Sequence, residues 1–267
     1  MKENKLYLII GVDRYEIDSF VFNGGEVSVK IPPNKTSNLI TIYSYIQNSE
    51  DVMKTFMTID AVKREYSNCK IHLTLPYIPY ARQDRVCNIG EAFSLKVFCD
   101  MLNSFKLDGV TVTDSHSDVA LALINNVYEI KQCEQFYWKN MSDRTLDKFV
   151  KSATIVSPDA GSNKKILSVC KLANKDSFLR ADKIRDVQTG KIIETIVYGD
   201  NLQGDYLIVD DICDGGATFI ELAKVLKSKG AEKVGLYVTH GIFAKGKKHL
   251  YNNGVDYIWT EYDWEEN

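Results

Sequence analysis

The sequence predicts an α/β fold in which two similar halves each contain a mostly parallel central sheet. Apolar, strand-like runs alternate with segments of helical apolar spacing along nearly the whole chain. The 267 residues are 45% hydrophobic and 26% charged, which is ordinary globular usage and excludes a wholly disordered chain. No apolar stretch approaches the ~18 residues that a membrane helix requires. We therefore expect a globular protein that has no membrane partner.

The first half contains three predicted strands, at residues 38–43, 71–76 and 109–113. A helix follows the first strand, and we expect the Ser49 hydroxyl to cap its N-terminus. A second helix has its apolar residues on one face between positions 92 and 105. This order of strand, helix, strand, helix, strand is typical of a parallel sheet.

The second half repeats that order. Its strands are predicted at residues 153–156, 205–209 and 233–239. One helix has its apolar residues between positions 166 and 173, and another has them between 219 and 226. Gly230 follows the second helix and is predicted to end it in a left-handed conformation. The halves meet between residues 130 and 150, and we divide the chain into domains 1–138 and 139–267.

The net charge and the cysteine pattern indicate which classes of partner to exclude and which cellular compartment to expect. Lys and Arg total 33 and Asp and Glu total 36, so the formal net charge is −3. A nucleic-acid binder usually has a basic excess, so we expect no nucleic-acid partner. The six cysteines are scattered without a C-x-x-C pair, which favours reduced thiols in a cytoplasmic protein over a disulfide or structural zinc framework.

The segment from Asp210 to Thr218 has the strongest chemical signal. A buried strand leads into two adjacent carboxylates, Asp210 and Asp211, and a turn of small residues then opens a helix. Backbone N–H groups at such a turn and at a helix N-terminus attract phosphate, and glycines permit its close approach. The two aspartates suit ribose hydroxyls or a hydrated cation. The pattern therefore predicts a sugar-phosphate site.

This segment resembles the phosphate loop of type I phosphoribosyltransferases and of ribose-phosphate diphosphokinases, the PRPP synthetases. Residues 79–85, Pro-Tyr-Ala-Arg-Gln-Asp-Arg, resemble a signature of the diphosphokinases that simple transferases lack. Four further segments match that family in order, at residues 114–116, 156–161, 182–185 and 239–241. The chain is identified as a short variant of this family. The resemblance implies two pseudo-symmetric, phosphoribosyltransferase-like α/β domains with mostly parallel central sheets.

The resemblance also implies a role for each matching residue. The residues implied to bind ATP are Phe22, Glu26, Arg82, Gln83 and Arg85. Those implied to bind the metal are Asp114, His116 and Asp159, and those implied in catalysis are Lys183, Arg185 and His116. Asp210 and Asp211 would take the ribose hydroxyls, and the 5-phosphate would be bound by Asp214, Gly215, Gly216, Ala217 and Thr218.

The implied reaction is a Mg²⁺-dependent transfer of the β,γ-diphosphate of ATP to the anomeric hydroxyl of ribose 5-phosphate, giving PRPP and AMP. Such a transfer requires in-line positioning and neutralisation of negative charge, which Mg²⁺, Lys and Arg can provide. Hard Mg²⁺ prefers carboxylate, phosphate and water oxygens, so the aspartates are suitable ligand types.

Departures from the family pattern leave open which sugar phosphate is the acceptor. The loop after Arg85 is poor in basic residues, and the family's F-x-D-G-E element has Gly24 in place of its aspartate. Gly215 stands where the family commonly has threonine, which removes a hydroxyl and opens space beside the 5-phosphate. ADP-ribose, the acceptor of short relatives that support NAD reconstruction, is therefore an alternative to ribose 5-phosphate.

Two further alternatives are a catalytically silent regulatory member of the family and a phosphoribosyltransferase that consumes PRPP. The arginine signature opposes the phosphoribosyltransferase. The retained His116 and Lys183 oppose the silent member. In relatives the F-x-D-G-E element reaches into a neighbouring subunit, so the resemblance also implies a homo-oligomer, a dimer or higher.

Overall fold

The computed structural model describes residues 5–33, 35–185 and 192–265. The chain divides into two compact units, Met1–Ile130 and Lys131–Asn267. This division lies earlier in the chain than the boundary expected after residue 138. The helix that begins at Gln132 packs on later helices of the second unit, so it belongs with them.

The first unit is a six-stranded sheet with helices and a separate two-stranded hairpin. The strands are β1 (Leu6–Ile10), β2 (Asp13–Glu16), β3 (Asp18–Val21), β4 (Val27–Lys30), β5 (Leu39–Ser44), β6 (Lys70–Leu75), β7 (Gly109–Thr113) and β8 (Val127–Ile130). The helices are α1 (Ser49–Glu65), α2 (Ser94–Ser104) and α3 (Asp118–Leu123). The sheet order is β2-β1-β5-β6-β7-β8, and its last four strands are parallel. Strands β3 and β4 form the hairpin.

The second unit contains another six-stranded sheet. Its helices are α4 (Gln132–Ser142), α5 (Arg144–Ser152), α6 (Asn163–Leu172), α7 (Ala217–Ser228) and α8 (Lys247–Tyr251). Its strands are β9 (Thr154–Ser157), β10 (Leu179–Arg185), β11 (Ile192–Val197), β12 (Asp205–Cys213), β13 (Lys233–Gly241) and β14 (Tyr257–Asp263). The order is β11-β10-β9-β12-β13-β14, with only β11 antiparallel among these strands. Both units confirm the predicted α/β class with mostly parallel sheets.

The apolar patterns of the sequence become the cores of the two sheets. Alternate residues of β5 and β6 are fully buried, among them Ile40, Ile42 and Leu73, because one face of each strand meets a helix. In β12 four consecutive residues, Tyr206–Val209, are buried, which marks a central strand covered on both faces. Among the described residues no helix is both long and apolar enough to cross a membrane.

The structure corrects three details of the sequence interpretation. Helix α1 begins at Ser49 itself, and the cap is Asn48, whose side chain accepts the Asp51 N–H at 3.0 Å. Strand β12 continues to Cys213, so the paired aspartates are strand residues and not the start of a loop. The pattern did not predict β1 to β4, because these strands are short and mostly half-exposed or exposed.

Candidate functional site

Three carboxylates of the second unit lie at the carboxyl ends of neighbouring parallel strands. Asp159 follows β9, and Asp210 and Asp211 lie in β12, which pairs with β9. The Ser162 hydroxyl is 3.0 Å from Asp159 Oδ1 and 3.4 Å from Asp210 Oδ1, so one side chain contacts both strands' acids. Ligands of open α/β sheets bind at this edge.

Two lysines neutralise part of this charge. Lys183 of β10 places its ammonium 2.8 Å from Asp159 Oδ2, and its side chain is only 11% exposed. Lys165, in the first turn of α6, lies 3.8 Å from Asp211 Oδ2. The Arg185 side chain, which the resemblance places beside Lys183, lies outside the described part of the chain.

The charges act in opposite directions on two neighbouring acids. Burial raises the pKa of Asp159, but the hydrogen bond and positive charge of Lys183 and the Ser162 hydrogen bonds outweigh burial, and the net pKa is below the ordinary aspartate value. For Asp210 burial raises the pKa well above that value, and the negative charges of Asp211 and Asp159 raise it further. The edge is therefore crowded with negative charge and suited to a cation or a hydroxyl donor.

The turn after β12 enters helix α7 through a glycine in the left-handed conformation. Gly216 is the N-cap of α7 with φ +77°, and no side chain caps the first turn of that helix. A Cβ at Gly216 would lie 2.7 Å from Leu250 Cδ2, so both the backbone and the packing require glycine here. N–H groups at the start of a helix attract anions, so binding of a phosphate at this turn stays a prediction that the backbone geometry suits.

Sequence reasoning missed Lys165, Ser162 and Lys245 of this unit. Lys164 and Lys165 stand in the first turn of α6, where positive charge opposes the helix dipole, and that conflict is a signal for a role outside the helix. Lys245 is distant in sequence from the phosphate loop, and no local pattern indicates its position beside Gly215.

In the first unit the arginine signature follows β6 in a tight turn. The Gln83 N–H donates to the Tyr80 carbonyl at 2.8 Å, and Tyr80 has φ +62°, which a non-glycine residue adopts only under strain. Arg82, Gln83 and Arg85 are all exposed. The Arg85 guanidinium lies 3.7 Å from Asp84 Oδ1. This turn presents two cations and an amide at the carboxyl end of β6.

The segment after Arg85 forms a turn that is held by hydrogen bonds to the Glu91 carboxylate. The N–H groups of Cys87 and Asn88 both donate to Glu91 Oε2 at 2.9 Å. Hydrogen bonds from the Asn88 side chain and from these two N–H groups lower the pKa of Glu91. The segment therefore has a defined conformation without the basic residues that the family usually has there.

Asp114 and His116 follow β7, the strand that pairs in parallel with β6. Asp114 has φ +44° and is 2% exposed, and its N–H donates to the Ile130 carbonyl at 2.8 Å. The Ser115 hydroxyl donates to Glu129 Oε1 at 2.6 Å. His116 is exposed. The turn thus buries its acid and presents its imidazole at the same edge of the sheet as the arginine signature.

Phe22 and Glu26 lie at the tip of the β3–β4 hairpin. The Phe22 N–H donates to the Glu26 carbonyl at 2.8 Å, which closes the turn. Phe22 is 52% exposed and packs edge to face on Phe20, with ring centroids 4.7 Å apart. The hairpin therefore exposes an aromatic face that can stack on a base or a partner surface.

The donor types of the second unit fit a magnesium ion that is bound together with its substrates. Among the described residues no group of three His, Cys, Asp or Glu side chains is placed to hold a metal alone. Asp210 and Asp211 nevertheless offer carboxylate oxygens in a negatively charged setting, and Mg²⁺ usually takes one or two carboxylates, with phosphates and waters as its other ligands. Asp159 would share its oxygens with Lys183 and Ser162.

Comparisons with known proteins agree with this geometry. Residues 3–105 match the N-terminal domain of ribose phosphate pyrophosphokinase, and residues 166–266 match the phosphoribosyl transferase domain. Ribose-phosphate pyrophosphokinase of Buchnera aphidicola subsp. Acyrthosiphon pisum is 29% identical over 259 residues, which are 96% of this chain and 79% of that protein.

A second curated relative and a solved structure are also similar to this chain. The protein of the same name from Shewanella oneidensis is 30% identical over 241 residues, 89% of this chain and 75% of that protein. The crystal structure of phosphoribosylpyrophosphate synthetase from Mycobacterium smegmatis superposes with a TM-score of 0.76 at 21% identity, over 92% of this chain and 80% of that chain. That superposition confirms the phosphoribosyltransferase-like fold. The chain belongs to the ribose-phosphate pyrophosphokinase family of enzymes.

Proposed function

We propose that the protein transfers the β,γ-diphosphate of ATP to the anomeric hydroxyl of ribose 5-phosphate. The observation that supports this most directly is the second unit's arrangement of Asp159, Lys183 and the Asp210–Asp211 pair beside an uncapped, glycine-led helix N-terminus. One edge of one sheet thereby offers groups that can bind a pentose, bind a phosphate and neutralise the negative charge of the diphosphate during its transfer.

In the proposed reaction the anomeric oxygen attacks the β-phosphorus of ATP. The bond from that phosphorus to the oxygen bridging the α-phosphorus breaks, AMP leaves with the bridging oxygen, and the hydroxyl proton is released. Asp210 and Asp211 would orient the ribose hydroxyls, and the amides around Gly216 would bind the 5-phosphate. Lys183 would leave Asp159 in part to neutralise the transferring diphosphate.

The first unit would bind ATP in this proposal. Arg82 and Arg85 would contact its phosphates, Gln83 its nucleoside, and Phe22 its base, with Glu26 at the same hairpin tip. His116, with Asp114 beside it, would assist in holding the metal on ATP. Within the second unit, Asp159 would contact a metal or its water shell. Bound Mg²⁺ would neutralise phosphate charge during the transfer.

ADP-ribose is a second candidate acceptor, and Gly215 is the observation that favours it. Among the described residues that do not adjoin Gly215 in the chain, a Cβ at this position would meet only the Lys245 side chain within 4 Å, so the loop is open on this side. A ribose whose 5-phosphate has a further phosphoryl group therefore gains room that a threonine would take.

We further propose a homo-oligomer, a dimer or higher, in which the exposed β3–β4 hairpin reaches into the ATP site of a neighbouring copy, so that Phe22 contacts a base bound there. The six cysteines are free thiols, which supports the cytoplasm as the compartment.

The test is incubation of the purified protein with ATP, Mg²⁺ and either ribose 5-phosphate or ADP-ribose, followed by separation of AMP and the diphosphorylated sugar. AMP formed with one acceptor identifies the substrate. ATP binding without AMP formation from either acceptor would contradict the proposal and favour a silent regulatory member. Consumption of PRPP with a nucleobase would instead identify a phosphoribosyltransferase.

A further inference from the structure

The segment that follows β13 turns back across the phosphate loop of the second unit. The N–H groups of Ile242 and Phe243 donate to the Cys213 carbonyl at 2.9 and 3.1 Å. The Ala244 N–H donates to the Asp214 carbonyl at 3.2 Å. These three backbone hydrogen bonds fix the position of the segment relative to the loop, whatever side chains it has.

Lys245 is the next residue, and its side chain lies beside Gly215. A Cβ built on Gly215 would be 3.8 Å from Lys245 Cε, and apart from the adjoining backbone no other atom of the described residues comes within 4 Å of that position. Lys245 is exposed, and within the described ranges its ammonium forms no ion pair with a carboxylate. Lys247, by contrast, pairs with Asp263. The ammonium of Lys245 is therefore available at the open side of the loop.

The loop itself has no positive side chain. Its charged residue is Asp214, whose negative charge disfavours a phosphate dianion, and its other groups are small residues, a threonine and backbone amides. A lysine ammonium beside Gly215 supplies the missing positive charge and can donate hydrogen bonds to phosphate oxygens. It replaces the hydroxyl that a threonine at position 215 would offer with a stronger, charged donor.

We propose that Lys245 is a phosphate-binding residue of the acceptor site and contacts the phosphate ester on the 5-oxygen of the ribose. The inference rests on the proposed function, because it assigns the second unit's loop to the acceptor. The same chemistry serves the phosphate of ribose 5-phosphate or the diphosphate of ADP-ribose. Lys245 therefore contributes to acceptor affinity and does not take part in breaking a bond.

The experiment measures acceptor binding by calorimetry for the wild-type chain, Lys245→Met and Lys248→Met. Lys248 is an exposed neighbour, so its variant is a matched control for the lost charge. We expect Lys245→Met to raise the Kd of the acceptor about tenfold to hundredfold, the value of a charge-assisted hydrogen bond. The Kd of ATP and the thermal unfolding temperature should not change. The wild-type affinity should also fall more steeply with salt than that of Lys245→Met.

Measurements with both acceptors and with a double variant show which phosphate Lys245 contacts. A larger loss for ADP-ribose than for ribose 5-phosphate identifies the second phosphate as the contact, and an equal loss identifies the 5-phosphate. Gly215→Thr in the Lys245→Met background should recover part of the affinity, because it returns a hydroxyl donor. Equal acceptor affinity of Lys245→Met and wild type would overturn the proposal, as would failure of the wild type to bind either ester. Binding without AMP release would defeat the proposed function alone.

Discussion

The ammonium of Lys183 lies 2.8 Å from Asp159 Oδ2, in a pair whose lysine is nearly buried. The pair joins β10 to the segment after β9, beside the two aspartates of β12. It keeps the cation in a defined place next to the acids and lowers the pKa of Asp159. The Lys183 ammonium can therefore move from Asp159 to a bound substrate whose negative charge exceeds that of one carboxylate.

Lys183→Ala should lower kcat by about 10³-fold while changing the acceptor KM little, because a positioned cation acts mainly on the transferring phosphoryl group. Lys151→Ala is the matched control, since Lys151 is an exposed lysine of the same unit that pairs with Asp147 at 2.6 Å. Steady-state AMP production measures both variants. An unchanged kcat in Lys183→Ala would contradict the role.

Gly216→Ala should destabilise the second unit by about 2 kcal/mol or more. The left-handed backbone at φ +77° costs a non-glycine residue ~1–2 kcal/mol, and the new methyl group would lie 2.7 Å from Leu250 Cδ2. Gly215→Ala is the control, because its methyl group meets Lys245 Cε only at 3.8 Å. Denaturant unfolding compares the two variants, and equal stability would show that the Gly216 turn is not strained.

Asp143→Ala should cost about 1 kcal/mol of stability, because Asp143 caps α5 by accepting the N–H groups of Thr145 and Leu146 at 2.9 and 3.2 Å. Burial raises the pKa of Asp143, but the hydrogen bonds from Thr145 and Leu146 outweigh burial and lower it below the ordinary value of 3.8. The folded state therefore favours the ionised cap. Its stabilisation is present above the unfolded pKa and is lost as pH falls through the folded pKa.

Denaturant unfolding as a function of pH checks this prediction. The gap in unfolding free energy between wild type and Asp143→Ala should be constant near neutral pH and close at acidic pH. Asp147→Ala on the same helix removes an exposed i,i+4 ion pair and should cost only ~0.3–0.5 kcal/mol. A gap that widens on acidification would refute the assignment.

Phe22→Ala should raise the KM for ATP about tenfold if Phe22 stacks on the base, because such stacking contributes ~1–3 kcal/mol. The folded chain should keep its unfolding temperature, since 52% of the Phe22 side chain is exposed. Val21→Ala, at the neighbouring 40% exposed position, is the control. An unchanged KM for ATP in Phe22→Ala would contradict stacking of Phe22 on the base.

Much of the fold and part of the site follow from local patterns. The strand at Gly109–Thr113 was predicted to the residue, because strong apolar alternation and a following acid define both of its ends. Helix α7 and Gly230 with φ +111° also follow from local spacing and from glycine's backbone freedom. The glycine turn before α7 was also recognisable in the sequence, because its residues are contiguous, while its binding of phosphate stays a prediction.

By itself the sequence determined the fold class, the order of the motifs and the acids and glycines of the loop, because each depends on neighbours within a few residues. Only the tertiary structure decided that Asp159 pairs with Lys183, that Lys165 faces Asp211 and that Lys245 lies beside Gly215. Those contacts join different strands and helices, and the packing of the sheet determines which of many lysines reaches which acid.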